Sequence, residues 1–98
     1  LGKDANEYTA TQAEAAGCTV IRVNSPYEAG NVIASNLQEG AAILIKGSQN
    51  GVFSEESIKT LLANPDDAKK LVRQSDFWLA KKRASLVMRH ECFSYIRR

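Results

Sequence analysis

The sequence predicts an α/β fold in which parallel strands are covered by helices in three αβα layers. Two short apolar segments, residues 18–23 and 41–45, are typical of buried parallel strands. A helix-forming segment lies between them, and residues 18–45 together have the size of one βαβ unit. Because such crossovers are right-handed, we expect the two strands to be parallel neighbours in one sheet.

The first predicted helix covers residues 7–16, which are rich in alanine and contain no helix breaker. Gly17 follows at the position that a helix C-cap glycine occupies. The segment Cys18–Val23 is apolar and β-branched, which predicts the first strand.

The second helix has the clearest start signal in the chain. Ser25 is a good N-cap, Pro26 falls at the first helical position, and Glu28 completes a capping box. The helix is expected to end near Gln38, ahead of Gly40. The second strand then runs from residue 41 to residue 45.

The sequence after the second predicted strand, about half of the chain, predicts helices only. Ser54 is a candidate N-cap, and Phe53 with Ile58 has the spacing of a hydrophobic staple. Asn64 and Pro65 stop that helix and start the next. The last helix is expected to be long, since apolar residues recur every seven positions, at Val72, Leu79, Leu86 and Phe93. The pattern weakens beyond residue 83.

Composition is that of one small globular domain of 98 residues, 44% of them hydrophobic. No apolar run approaches the roughly 20 residues that span a bilayer, and the opening residues show no signal-peptide pattern. Cys18 and Cys92 lack metal-ligand spacing and are interpreted as free thiols. These features predict a cytoplasmic protein with no metal site and no membrane contact.

Charge is unevenly distributed along the chain. Residues 1–68 carry a formal charge of −5 and residues 69–98 carry +7, which gives the net +2. Such asymmetry is compatible with a nucleic-acid contact, and Trp78 beside Lys81, Lys82 and Arg83 is a candidate basic-aromatic patch. We favour a solvated basic helix and expect no nucleic-acid partner.

Two strands are too few for a stable doubly wound sheet. Either the chain pairs with another molecule, or it forms the end of a larger domain, and the second interpretation is favoured. The segment Ile43-Leu-Ile-Lys-Gly-Ser48, followed by a helix with Glu55-Glu56, resembles the last strand, loop and helix of the C-terminal domain of Mur ligases. That domain is Rossmann-like.

The resemblance is nearest to the branch that adds D-alanyl-D-alanine to UDP-muramoyl tripeptide, or to a relative of that branch. It covers residues 1–83, including Leu1–Tyr8 and Ser25–Ala29, whereas residues 84–98 form a basic tail that matches nothing in the family. Gln49 replaces the arginine that usually follows Lys-Gly-Ser. The phosphate loop G-x-x-x-x-G-K-[ST] and the family's Asp-Asn-Pro-Arg motif are absent from the sequence.

The resemblance implies the terminal part of an ATP-dependent amide-bond ligase of peptidoglycan precursor synthesis. Its substrates would be a UDP-muramoyl peptide and an amino acid or dipeptide, with ATP and magnesium bound mainly by domains absent from this chain. No catalytic residue is expected here, and the chain alone is expected to be inactive. The candidate substrate-binding residues are Lys46, Gly47, Ser48, Gln49 and Asn50.

Each of these candidate site residues could instead have a purely structural role, without contacting a substrate. Lys46 and its neighbours could form an ordinary turn with a solvated lysine, and Asn50-Gly51 is itself a turn signal. Glu55 and Glu56 could touch a substrate ammonium, although complementing the helix dipole is the commoner role. His90 beside Cys92 is interpreted as a surface residue. The alternative function is a non-catalytic module that binds a ligand or partner.

Overall fold

The computed structural model describes residues 1–47 and 51–96, with side chains up to residue 86. Two compact units follow one another along the chain, Leu1–Leu61 and Leu62–Arg98.

The predicted parallel sheet is wrong, because the described residues contain helices and irregular segments but no strand. Residues 18–23 and 41–47 lack regular structure. Several of the side chains expected in a buried sheet are exposed, with Ile21 at 55%, Ile43 at 43% and Leu44 at 87%. The chain is therefore not an α/β Rossmann-like fold.

The physical reason lies in what β-propensity measures. Apolar and β-branched residues suit a pleated, half-buried surface, and this preference is realised only when neighbouring strands and a covering layer are present. A two-stranded arrangement supplies too little of either. Here the first segment is held instead by side chains: Asn6 Nδ2 donates to the Val23 carbonyl at 2.9 Å, and Arg22 Nε donates to the Asn6 carbonyl at 3.0 Å.

The N-terminal helix begins as a π-helical turn, Ala5–Thr9, and continues as α1, Ala10–Ala15. Gly17 adopts φ 91°, as predicted for a glycine that follows the C-terminal end of a helix. The amide of Cys18 donates to the Ala13 carbonyl and the amide of Gly17 donates to the Glu14 carbonyl, at 2.9 and 3.0 Å. This pair of bonds is the Schellman motif, which satisfies carbonyls that the helix end leaves unpaired.

Helix α2 spans Pro26–Asn36 and starts where the sequence predicted. The Glu28 amide donates to Ser25 Oγ at 3.1 Å. The Glu28 carboxylate accepts from the amide of Asn24 at 2.9 Å, one residue before the usual partner in a capping box. The helix ends two residues before the predicted Gln38.

A 3-10 helix, Ser54–Leu61, follows residues 51–53 and completes the first unit. The buried apolar side chains described in this unit are Ala10, Val23 and Phe53, together with Pro26. Because this core is small, it contributes modest hydrophobic stabilisation.

The second unit contains a short 3-10 helix, Pro65–Lys70, and the long helix α3, Asp76–Ile96. Asn64 caps the short helix as predicted, since its Oδ1 accepts from the Asp66 amide at 3.1 Å. The chain then leaves the helical conformation at residues 71–75, where Arg73 has φ 55°. Val72 therefore lies outside α3 and is 60% exposed, so the predicted seven-residue stripe does not begin there.

Candidate functional site

Lys46 and Gly47 lie at the end of the irregular segment that precedes residues 48–50. Both are exposed. Ser48, Gln49 and Asn50, the other three predicted substrate-binding residues, lie outside the described residues. The described part of the candidate site is therefore one exposed cation followed by one glycine.

Gly47 packs closely against the start of the 3-10 helix. A Cβ at this position would clash with Ser54 Oγ and would lie 2.9 Å from Ser54 Cβ. Real Cβ contacts do not reach such distances, so a side chain at position 47 would push Ser54 away. The glycine thus allows the segment carrying Lys46 to lie directly against the helix that follows residues 48–50.

That helix presents a buried polar face. Glu55, Glu56 and Ser57 are only 4%, 3% and 3% exposed. The Glu56 carboxylate pairs with Lys59 Nζ at 2.9 Å and accepts a long hydrogen bond from Tyr27 Oη at 3.5 Å. Because a buried charge must be compensated, this pairing explains how a carboxylate sits inside the unit.

The carboxylate of Glu56 is consequently engaged within the protein rather than presented to a substrate ammonium. The sequence singled out Glu56 as a possible contact of a substrate ammonium or a complement of the helix dipole. It did not predict Lys59 and Tyr27 as the partners of its carboxylate. The spacing of Glu56 and Lys59, three residues apart on a helix, was a usable signal for their pairing. No sequence signal pointed to Tyr27, which comes from a different helix and is 29 residues away.

Burial raises the pKa of the Tyr27 phenol above its usual value of 10, and the neighbouring Glu56 carboxylate raises this pKa further. The hydroxyl therefore stays protonated across the physiological range. In that form it acts as the donor to Glu56.

The helix backbones also meet closely at Gly30 on α2. A Cβ there would lie 2.8 Å from the Ser57 carbonyl oxygen and 2.9 Å from Thr60 Oγ1. Two features therefore join α2 to helix 54–61: the Gly30 backbone contact and the Tyr27–Glu56 bond. Together they place the helix against which Gly47 rests.

At the start of α3, two aromatic residues and one lysine interact with one another. The rings of Phe77 and Trp78 meet edge to face with centroids 5.4 Å apart, and the Lys81 ammonium lies 5.0 Å from the Trp78 centroid. The side chains of His90 and Cys92 lie outside the described side chains. Within the described residues, no group of His, Cys, Asp or Glu side chains is arranged to hold a metal ion.

Comparison with known proteins yields no match: no family model, no curated protein and no solved structure is similar to this chain. Among the described residues, the helices are too short or too polar for any of them to cross a bilayer.

Proposed function

We propose that this chain is the terminal part of an ATP-dependent amide-bond ligase of peptidoglycan precursor synthesis, in which it positions the incoming amino acid or dipeptide. The observation that carries the proposal is the placement of Lys46, an exposed ammonium adjoining a glycine that is packed against a helix. The motif resemblance around Lys46-Gly47-Ser48 supplies the reaction class.

In the proposed reaction, a muramoyl-peptide carboxylate attacks the γ-phosphorus of ATP, ADP leaves, and the carboxylate becomes an acyl phosphate. The amine of the second substrate attacks the acyl carbon, phosphate leaves, and the amine loses a proton. The described residues contain no metal-binding cluster and the sequence has no phosphate loop. We assign ATP and magnesium to other domains of the ligase and the whole reaction to the cytoplasm.

Lys46 would contribute binding and orientation. Its compact ammonium suits the carboxylate of an amino acid or dipeptide. Holding that carboxylate fixes the distance from the substrate amine to the acyl carbon, which is how positioning groups accelerate a bimolecular step. Gly47 allows the backbone to approach the same ligand closely.

The test uses the product of the complete coding sequence, assayed for ATP-dependent joining of D-alanyl-D-alanine to UDP-muramoyl tripeptide. Lys46→Ala removes a charge-assisted hydrogen bond, so kcat/KM for the dipeptide should fall about ten- to a hundredfold. Lys69→Ala removes another exposed lysine and is the matched control, with no change expected. Equal kcat/KM for Lys46→Ala and the control would contradict the proposed role of Lys46.

The 98-residue chain alone should not release phosphate from ATP in the presence of both substrates and magnesium. The phosphate loop that would bind ATP is absent from it. Phosphate release above a protein-free control would show that the assignment of ATP to other domains is wrong.

The exposed apolar side chains of Ile21, Ile43 and Leu44 favour a second candidate, a non-catalytic module that binds a partner through these segments. The complete coding sequence discriminates between the two. A phosphate loop and an Asp-Asn-Pro-Arg motif upstream of Leu1 would support the ligase, and their absence from the complete gene would favour the module.

A further inference from the structure

The position of Lys46 depends on helix 54–61, through a continuous set of contacts. Lys46 adjoins Gly47, whose backbone lies against Ser54. The Ser54 carbonyl accepts from Ser57 Oγ at 2.6 Å, and the Phe53 carbonyl accepts from the Glu56 amide at 2.9 Å. These two hydrogen bonds stabilise the first turn of the helix, which packs against Gly47.

The side chain of Glu56, in this first turn, contacts a residue of another helix. Its carboxylate is 3% exposed, pairs with Lys59 on the next turn, and accepts from Tyr27 on α2. A buried carboxylate is costly unless its charge is compensated. The orientation in which Glu56 keeps its contacts with Lys59 and Tyr27 is therefore favoured.

We propose that Glu56 is a positioning residue: without touching the substrate, it holds helix 54–61 on α2 and thereby sets the place of Lys46. The connection to substrate rests on the proposed ligase function, whereas the connection between Glu56 and Lys46 is a property of this chain. The two are tested separately.

The first test is made on the 98-residue chain by NMR. Glu56→Ala removes the carboxylate that accepts from Tyr27 and pairs with Lys59, and Tyr27→Phe removes the hydroxyl that donates to Glu56. Both variants should shift the Lys46 and Gly47 amide resonances, while those of α1 stay unchanged. The matched controls are Glu39→Ala and Tyr8→Phe, which alter an exposed carboxylate and an exposed phenol.

Two results would overturn the proposal. One is unchanged amide resonances at positions 46 and 47 in both variants. The other is an equal disturbance of every amide, including those of α1, because Glu56 would then support the unit as a whole rather than the Lys46 segment.

The second test uses the complete protein in the ligase assay. Glu56→Ala should lower kcat/KM for the dipeptide about tenfold, which is below the roughly hundredfold loss that a 1 Å misplacement can cause. In a Lys46→Ala background the same substitution should lower kcat/KM no further, because the group that Glu56 positions is gone.

Full additivity of the two substitutions would contradict a positioning role. A complete protein that forms no amide bond would refute the proposed function instead. In that case the NMR result alone decides whether Glu56 positions Lys46.

Discussion

Gly30→Ala gives the sharpest test of how α2 and helix 54–61 pack, because two effects on stability oppose each other. Within a helix, alanine is favoured over glycine by about 1 kcal/mol. A substitution judged on helix propensity alone would therefore stabilise the protein. The packing around Gly30 predicts the reverse.

The size of the packing effect follows from the contacts that a methyl group would make. It would lie 2.8 Å from the Ser57 carbonyl oxygen, 2.9 Å from Thr60 Oγ1 and 3.2 Å from Thr60 Cβ. The nearest of these atoms is backbone, which cannot rotate away, so the helices must separate. Overpacking of this kind costs about 1–3 kcal/mol. After the propensity gain is subtracted, we expect a net destabilisation of about 1 kcal/mol.

Urea denaturation followed by far-UV circular dichroism measures this change, and thermal unfolding should show a melting temperature lower by about 4–8 °C. Asn31→Ala is the matched control, because it places alanine at the neighbouring exposed position of the same helix. The control substitution should leave the free energy of unfolding unchanged or raise it slightly. A Gly30→Ala variant at least as stable as the control would refute the close approach of the two helices.

Two further predictions concern local contacts of the first unit. Ser25→Ala should cost about 1 kcal/mol of unfolding free energy, because the Glu28 amide loses its N-cap acceptor; an unchanged urea midpoint would contradict the cap. The second concerns acid stability: the hydrogen bond from Arg22 holds the pKa of Glu14 below its ordinary 4.5. The stabilisation that this hydrogen bond provides is thus present above the unfolded-state pKa of Glu14, and it is lost as pH falls through the folded-state pKa of Glu14. Glu14→Gln should flatten that part of the stability–pH curve, and an identical curve would contradict the pairing.

Structural features that depend on residues close together in the sequence were predictable from it. Three helix-end signals lie where they were predicted: the N-cap Ser25 with Pro26, the N-cap Asn64, and Gly17 after the end of the first helix. Each depends on hydrogen bonds or backbone angles within a few residues, so the residue type is enough to predict it. The two apolar segments failed as strand predictions, because a strand exists only through hydrogen bonds to a neighbour that local sequence does not specify.

The candidate site divides in the same way. The substrate-binding role of Lys46 and Gly47 was predicted from a short motif and stays a prediction, whereas the pairing of Glu56 with Lys59 could have been predicted from helical spacing. The tertiary structure alone decided that Tyr27 donates to Glu56 and that Gly47 lies against Ser54. These contacts join parts of the chain whose distance in space is set by packing, which is why residue types and spacing do not predict them.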